Sequence, residues 1–300
     1  MAIGDVYPVD AATDVHYTDT GMYDVEEYGS VYILDTERPA IVDTGIGTNY
    51  ERILEGLETV GIEPGALEAI LVTHVHLDHA GGAGFLAAET GAEVYVHGSG
   101  SQFLVDPTAI WAGTEAAVGE QIQFYTEPEP VAESRIVELE DGDTVDLGSK
   151  TLDVHRATGH AFHQVIFHDA DDGITFTGDA AGIYIPSRDR VTVTSPPPGF
   201  DLETVVEDAR MIERLSPETI CYAHYGPAPV GDRLSTYVDA ITEWVRSIEA
   251  KRAELDDDGA VVDYFAERTD LDEVWGVKKA IPETKMNVRG VLTYLDDRDD

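Results

Sequence analysis

The sequence predicts an α/β fold in which two β-sheets are sandwiched between helices, followed by a helical C-terminal extension. Three observations lead there. Short segments rich in Val, Ile and Tyr, separated by Gly, Pro and acidic turns, fill residues 14–43 and again residues 135–177. Each β-rich stretch gives way to segments with helical spacing, the pattern expected of layered sheets with helices outside. Beyond Pro227 the strand pattern ends, and apolar residues recur every three or four positions instead.

In chain order, strands are expected over 14–18, 22–28, 30–35 and 39–43. Asp43-Thr44-Gly45-Ile46-Gly47 breaks the last of these, and Ile53, Leu54, Leu57 and Val60 then share a helix face within 48–60. Residues 69–73 read as a buried strand running into a histidine cluster, 81–90 as a helix and 93–97 as another strand. A helix is expected near 107–118, and the Glu-Pro-Glu-Pro stretch at 127–130 is a loop. Strands follow near 135–139, 143–147, 151–157, 163–168 and 173–177, punctuated by Asp-Gly, Leu-Gly and Asp-Asp-Gly turns. Ser195-Pro196-Pro197-Pro198-Gly199 is a stiff connector, 202–215 a helix, and 219–223 a strand ending at His224. Leu234, Val238, Ile241, Val245 and Ile248 form the narrow stripe of an amphipathic helix, with shorter helices over 260–276 and 284–296. That stripe has two docking choices, its own domain or a second subunit of a homodimer, and docking within the chain is the simpler. The organisation expected is one domain over residues 1–226 and a helical extension over 227–300.

Charge narrows the function classes. Against 59 Asp and Glu stand only 19 Lys and Arg, for a formal net charge of −40. Such a chain repels itself, and concentrated salt relieves the repulsion by shortening the Debye length to about 3 Å at 1 M. The acids are spread along the whole chain, so a halophilic, cytoplasmic protein is expected rather than one with an acidic tail. Nucleic acid and anionic membrane surfaces are excluded as partners, because both are bound through clustered Lys and Arg. Cys221 is the only cysteine, which rules out an intrachain disulfide and a cysteine-based zinc knuckle. The opening Met-Ala-Ile-Gly-Asp has neither the basic nor the apolar region of a signal peptide, and no apolar run approaches membrane-spanning length.

Thr73-His74-Val75-His76-Leu77-Asp78-His79 carries the chemistry: three of the ten histidines and an aspartate fall within six residues. Positions two apart on extended backbone point the same way, so His74 and His76 can grip one ion. As the loop turns toward the helix at Gly81, Asp78 and His79 can face a second. Imidazole and carboxylate suit Zn²⁺, Fe or Mn²⁺.

With this motif the sequence resembles the metallo-β-lactamase superfamily over about residues 14–226, as a hydrolase of the glyoxalase II-like branch with a helical C-terminal extension. The markers appear in the family's order: Asp43-Thr44-Gly45, His74-x-His76-x-Asp78-His79, Thr158-Gly159-His160, Thr177-Gly178-Asp179 and His224. The resemblance implies the αββα sandwich and a cofactor of two divalent ions, Zn²⁺ first, with Fe or Mn as alternatives. It assigns His74, His76 and His160 to the first ion and Asp78, His79 and His224 to the second. Asp179 would bridge the two, and Asp43 would hold the ligand loop by hydrogen bonds. Asp78 and Asp179 are then the catalytic carboxylates. Two such ions lower the pKa of a shared water to about 7, giving a hydroxide that attacks an ester, thioester or lactone carbonyl of a small molecule. No serine nucleophile is needed, in keeping with the lack of a Gly-x-Ser-x-Gly elbow.

Tyr184 and Tyr225, close in sequence to Asp179 and His224, are candidate proton donors to the leaving group, with core packing as the alternative for each. His163 is placed either behind the ligands or in ordinary packing, and His16, His97, His155 and His168 are read as structural. Glyoxalase II and persulfide dioxygenases typically follow the Gly-Asp with a Cys-Gly-Arg segment, where this chain has Gly178-Asp179-Ala180-Ala181-Gly182. A mononuclear iron dioxygenase of the persulfide-dioxygenase kind is the alternative to the hydrolase, and one iron with oxygen uptake would mark it.

Overall fold

In the computed structural model, which describes residues 2–299, the strand Ser30–Leu34 is buried along its whole length and divides its side chains between two cores. Val31 and Ile33 join Ile53, Leu57 and Leu86 on a helical face, while Tyr32 and Leu34 join Phe167, Phe176 and Cys221 from a second sheet. Side chains alternate across a strand, so a strand apolar at successive positions, as from Val31 to Leu34, needs cover on both faces. That requirement yields the αββα sandwich, and this is the fold the chain adopts.

The first sheet runs in spatial order β1 (Val6–Val9), β2 (Ala12–Asp19), β3 (Ser30–Leu34), β4 (Ala40–Val42), β5 (Ala69–Leu71), β6 (Glu93–His97) and β7 (Ile136–Leu139). β1 to β4 pair antiparallel, and β4 to β7 parallel. The parallel half needs crossovers, which supply α1 (Glu51–Thr59), α2 (Leu77–Ala80), α3 (Ala83–Thr90), α4 (Gly98–Val105) and α5 (Thr108–Val118). The second sheet takes β8 (Thr144–Asp146), β9 (Thr151–Arg156), β10 (Val165–Asp169) and β11 (Ile174–Gly178). A separate hairpin follows, β12 (Ile183–Ile185) with β13 (Arg190–Thr192). After α6 (Leu202–Leu215), β14 (Thr219–Tyr222) joins β11 in parallel and β15 (Gly226–Pro229) closes the edge.

The C-terminal region adds α7 (Arg233–Leu255), α8 (Asp258–Ala266), α9 (Asp272–Trp275) and α10 (Val277–Asp299). Its apolar stripe docks within the chain: Leu234, Tyr237, Ile241, Val245 and Ile248 are buried in one cluster with Ile166 and Ile220 of the second sheet. Val288, Val291 and Leu292 of α10 enter the same cluster. The division expected after residue 226 falls within β15, and we propose that the extension starts beyond Pro229.

Some elements differ from expectation for local reasons. Residues 22–28 form no strand, because the buried Asp19 carboxylate accepts hydrogen bonds from the Gly21 and Glu27 amides (2.8 and 2.7 Å) and curls the chain back. Tyr23, Asp24 and Glu27 are left-handed within that curl. The helix expected over 260–276 divides into α8 and α9 where Arg188 and Arg190 clamp Asp270 (2.6 and 2.9 Å). α10 starts before 284 and runs through Pro282, whose missing N–H leaves one helical bond unmade. The expected helix over 81–90 begins at Ala83, and the short α2, carrying Asp78 and His79, precedes it.

Candidate metal centre

Parallel pairing brings the ligand-bearing loops to one edge of the sandwich. β4 and β5 end side by side, delivering Asp43 and then His74 and His76, while β11 and β14 end side by side and deliver Asp179 and His224. His160 lies in the turn from β9 to β10. The two sheets are tied at this edge by hydrogen bonds from the Val165 amide to the Thr73 carbonyl and from the Ser30 amide to the Ala223 carbonyl, each 2.8 Å.

Asp43 organises the histidine loop. Its carboxylate accepts from the Thr73 amide (2.8 Å) and hydroxyl (2.9 Å), and lies 2.9 Å from His79 Nδ1. Satisfying Nδ1 this way turns His79 Nε2 into the centre, the usual means of fixing a ligand ring. His224 is set likewise, with Nδ1 3.1 Å from the Tyr28 carbonyl. Glycine precedes two of the ligands because a side chain would not fit. A Cβ on Gly178 (φ 49°) would stand 2.8 Å from the Thr73 hydroxyl, and one on Gly159 only 2.2 Å from the Val205 amide nitrogen.

All seven predicted residues converge. His76 Nδ1 stands 3.1 Å from both His74 Nε2 and His160 Nε2. A second group forms around His79 and His224, whose Nε2 atoms are 3.3 Å apart, with Asp78 oxygens 4.0 and 3.7 Å from them. Asp179 stands between the groups. One oxygen is 3.3 Å from His160 Nε2, and the other is 3.4 and 3.6 Å from His79 and His224. The latter oxygen is buried and accepts no hydrogen bond. Ligands about 2.0–2.1 Å from a shared tetrahedral ion lie roughly 3.4 Å apart, so the spacing and the unsatisfied carboxylate both fit cations. Two triads, His74–His76–His160 and Asp78–His79–His224, each have ligand atoms within 4.8 Å of one another and could hold an ion.

The electrostatics agree. Burial, reinforced by neighbouring rings, drives His74 and His160 well below the usual histidine range, and burial lowers His76 to about 4, so these three are neutral and ready to ligate. Burial opposes protonation of His79 too, but Asp179, Asp78 and Asp43 outweigh it and push its pKa up to about 10. Three carboxylates around one imidazole make a field suited to a divalent cation. Asp78 keeps a quarter of its side chain exposed, while His79 and Asp179 are almost fully buried.

A pocket opens over the centre. Tyr23, Tyr28, Tyr125, Ile183, the 196–198 prolines and α10 form its walls, with α5 at the mouth. The segments that form these walls, after residue 98, after residue 180 and in the C-terminal helices, are legible from the sequence, but the individual wall residues are not, because no motif links α5 and α10 to the histidine loop. The tyrosines expected as proton donors are elsewhere. Tyr184 stacks on Tyr222 and donates to Asp189, and Tyr225 packs edge-on to Tyr17. Peptide pairing turns them away, since the Tyr184 amide bonds to the His224 carbonyl and the Tyr225 amide to the Tyr184 carbonyl. His163 is buried behind the ligands, parallel to His74 at 6.1 Å, and burial lowers its pKa to about 3. His97 caps α4 by accepting from the Ser99 amide, and His168 pairs with the Thr175 hydroxyl, so both are structural.

A family model described as the metallo-beta-lactamase superfamily matches residues 25–224. A metallo-beta-lactamase fold-containing protein of Sulfurisphaera tokodaii is 25% identical over 217 residues, or 71% of this chain and 78% of that protein. A solved archaeal superfamily structure from Sulfolobus tokodaii superposes with a TM-score of 0.71 at 20% identity, covering 93% of this chain and 98% of that one, a likeness of fold. A hydroxyacylglutathione hydrolase of Erythrobacter litoralis is 26% identical over 224 residues, covering 73% of this chain and 71% of that enzyme. An acyl-coenzyme A thioesterase of Homo sapiens is 28% identical over 166 residues, 48% of this chain and 54% of that enzyme, so the match spans about half its length.

Proposed function

The chain belongs to the metallo-β-lactamase superfamily, and from that premise we propose that it is a dinuclear metallohydrolase acting on an ester, thioester or lactone carbonyl of a small molecule. The observation that carries the reading is the split of Asp179 between two nitrogen clusters, one oxygen 3.3 Å from His160 and the other 3.4 Å from His79. Likeness to a hydroxyacylglutathione hydrolase and to an acyl-coenzyme A thioesterase supports both acyl hydrolysis and a place near the glyoxalase II-like branch.

His74, His76 and His160 would hold one ion and Asp78, His79 and His224 the other, with Asp179 offering an oxygen to each. Five imidazoles and two carboxylates favour Zn²⁺, with Fe or Mn as alternatives. When bound, such a pair brings a water's pKa to about 7 and polarises a carbonyl. The protein supplies the rest. Asp78, the partly exposed carboxylate, faces the pocket and can orient a water or hold its proton. Asp43 keeps the His79 ring in register, and Thr73 ties Asp43 to the end of β5. Tyr23 and Tyr125, hydrogen-bonded to each other in the pocket wall, present hydroxyls that burial keeps protonated, well above the usual tyrosine range. One donates to the other, so the pair has one O–H left to offer a departing alkoxide. Among the described residues no helix is long and apolar enough to cross a membrane. A cytoplasmic, salt-adapted setting belongs to the same proposal and rests on the −40 charge.

Elemental analysis of the purified protein should find two metal ions per chain, with hydrolysis of at least one member of an ester, thioester and lactone panel. His79→Ala should lose about one ion and lower turnover at least about hundredfold. One iron per chain with oxygen uptake would replace this reading by the dioxygenase.

A further inference from the structure

The pocket over the metal centre contains a charged pair that no motif announces. The side chains of Lys279 and Glu283, one turn apart on α10, are 4% and 3% exposed and joined by a 2.7 Å hydrogen bond. The ammonium lies 3.7 Å from the centre of the Tyr23 ring and 4.4 Å from that of Tyr28. An ammonium has three donor directions, and here one meets a carboxylate and the others aromatic faces. The second Glu283 oxygen accepts from the Asn287 side-chain NH₂ (3.2 Å), and Asn287 Oδ1 accepts from the Ser195 backbone amide (2.6 Å), which anchors the pair to the proline connector. Tyr28 in turn packs on the His224 ring, 5.0 Å between centres, so the pair stands one ring away from a ligand.

We propose that this pocket selects an uncharged, apolar acyl group of about six heavy atoms, and that Lys279 and Glu283 act as a self-neutralised pair that turns away acyl groups ending in a carboxylate. The inference rests on the hydrolase reading and names the substrate class for that site. Size is the first argument. The cavity, which also takes in the space beside His76, Asp78, His160, Asp179 and His224, measures about 140 Å³ in all, so the acyl part is bounded by the roughly 150 Å³ of an apolar protein cavity that takes benzene. Lining is the second. Tyr23, Tyr28, Tyr125, Val118, Ile183 and Met286 offer rings and alkyl groups, and apart from the histidines Lys279 is the one cationic side chain among the described residues of the wall. Charge is the third. An incoming carboxylate could reach Lys279 only by displacing it from Glu283 or from the Tyr23 and Tyr28 rings, and it would set a second anion beside a buried carboxylate. The −40 chain also repels anions at long range.

The test uses metal-loaded enzyme in about 2 M KCl, where the Debye length falls below about 3 Å and long-range repulsion is screened. Rates are compared for p-nitrophenyl acetate, hexanoate, dodecanoate and the glutarate half-ester. Hexanoate should exceed the other three in kcat/KM by at least about tenfold. Glu283→Gln, which frees the ammonium, should raise the glutarate-to-hexanoate ratio at least about tenfold. Gly113→Leu provides an independent check on size. Gly113 lies on α5 at the pocket mouth, and a Cβ there meets no atom within 4 Å, so the larger side chain should shift the optimum to shorter acyl groups. Calorimetry on the same protein with hexanamide and glutaramate reads binding apart from turnover, and only hexanamide should bind. Equal or tighter binding of glutaramate, or a glutarate ester hydrolysed as fast as the hexanoate, overturns the proposal. Hexanamide binding without hydrolysis of any ester, thioester or lactone of the panel would instead refute the hydrolase reading and leave the pocket assignment standing.

Discussion

Asp208 lies behind His160, a candidate ligand. Its carboxylate accepts the Gly159 amide at 2.7 Å, immediately before His160, and burial raises its pKa from 3.8 to about 6. A carboxyl whose pKa is higher in the fold than in the unfolded chain binds a proton on folding. Its stabilising contribution is therefore complete below about pH 4 and is lost as pH rises through about 6. Asp208→Asn keeps an acceptor for Gly159 and removes the titration. Measured by chemical unfolding, the variant should gain on the wild type by up to about 3 kcal/mol between pH 4 and pH 7. A difference that stays flat across that window would show that burial does not govern this carboxyl. Asp43 shows the opposite arrangement for a buried acid, satisfied on several sides by Thr73 and His79 and committed to holding the ligand loop in place.

At the scale of elements, the metal pocket is walled by two helices that bring no ligand. α10 reaches the pocket because Gly290 permits close approach: a Cβ there would lie 1.9 Å from the Ser195 carbonyl oxygen. Ser195 answers from the connector, its hydroxyl donating to the Asn287 carbonyl at 3.0 Å. An exposed Gly→Ala change within a helix adds up to about 1 kcal/mol of stability, but a backbone clash of this kind costs about 1–3 kcal/mol or more. Gly290→Ala should therefore lower the Tm and weaken hexanamide binding while leaving two metal ions per chain. A variant as stable as the wild type would show that α10 can shift without cost.

Across the whole molecule the charge is distributed very unevenly between inside and outside. Among the described residues the buried acids are Asp19, Asp43, Asp169, Asp179, Asp208 and Glu283, so nearly all of the negative charge lies at or near the surface. Many of the sparse cations are already engaged, as in Arg188 and Arg190 with Asp270, or Arg252 with Asp258 and Asp296. Lys150 is held by Asp169 and Asp172 beside the edge of the second sheet. Unscreened repulsion remains, and we propose that molar salt relieves it. Thermal unfolding should give a Tm at least about 5 °C higher in 2 M KCl than in 20 mM KCl. The same Tm in both would remove the case for salt adaptation.

Much of this protein could be read from residue order. The apolar run within Ser30–Leu34, the spacing of His74, His76, Asp78 and His79, and the helical stripe from Leu234 to Ile248 are local patterns, and local patterns are what periodicity and coordination chemistry constrain. The Thr-Gly before Asp179 and His160 was legible for the same reason, although the clashes that require those glycines involve Thr73 and Val205 from distant segments. Other features depended on contacts that no neighbouring residues encode. The curl at Tyr23 depends on where the Asp19 carboxylate is buried, the rejection of Tyr184 and Tyr225 on peptide pairing beside His224, and the Lys279–Glu283 wall on α10 docking across the chain. Sequence alone thus determined the layers of the fold and the donor groups gathered at the candidate centre. Tertiary packing decided what surrounds the centre, because a pocket is formed by side chains whose only relation is distance in space.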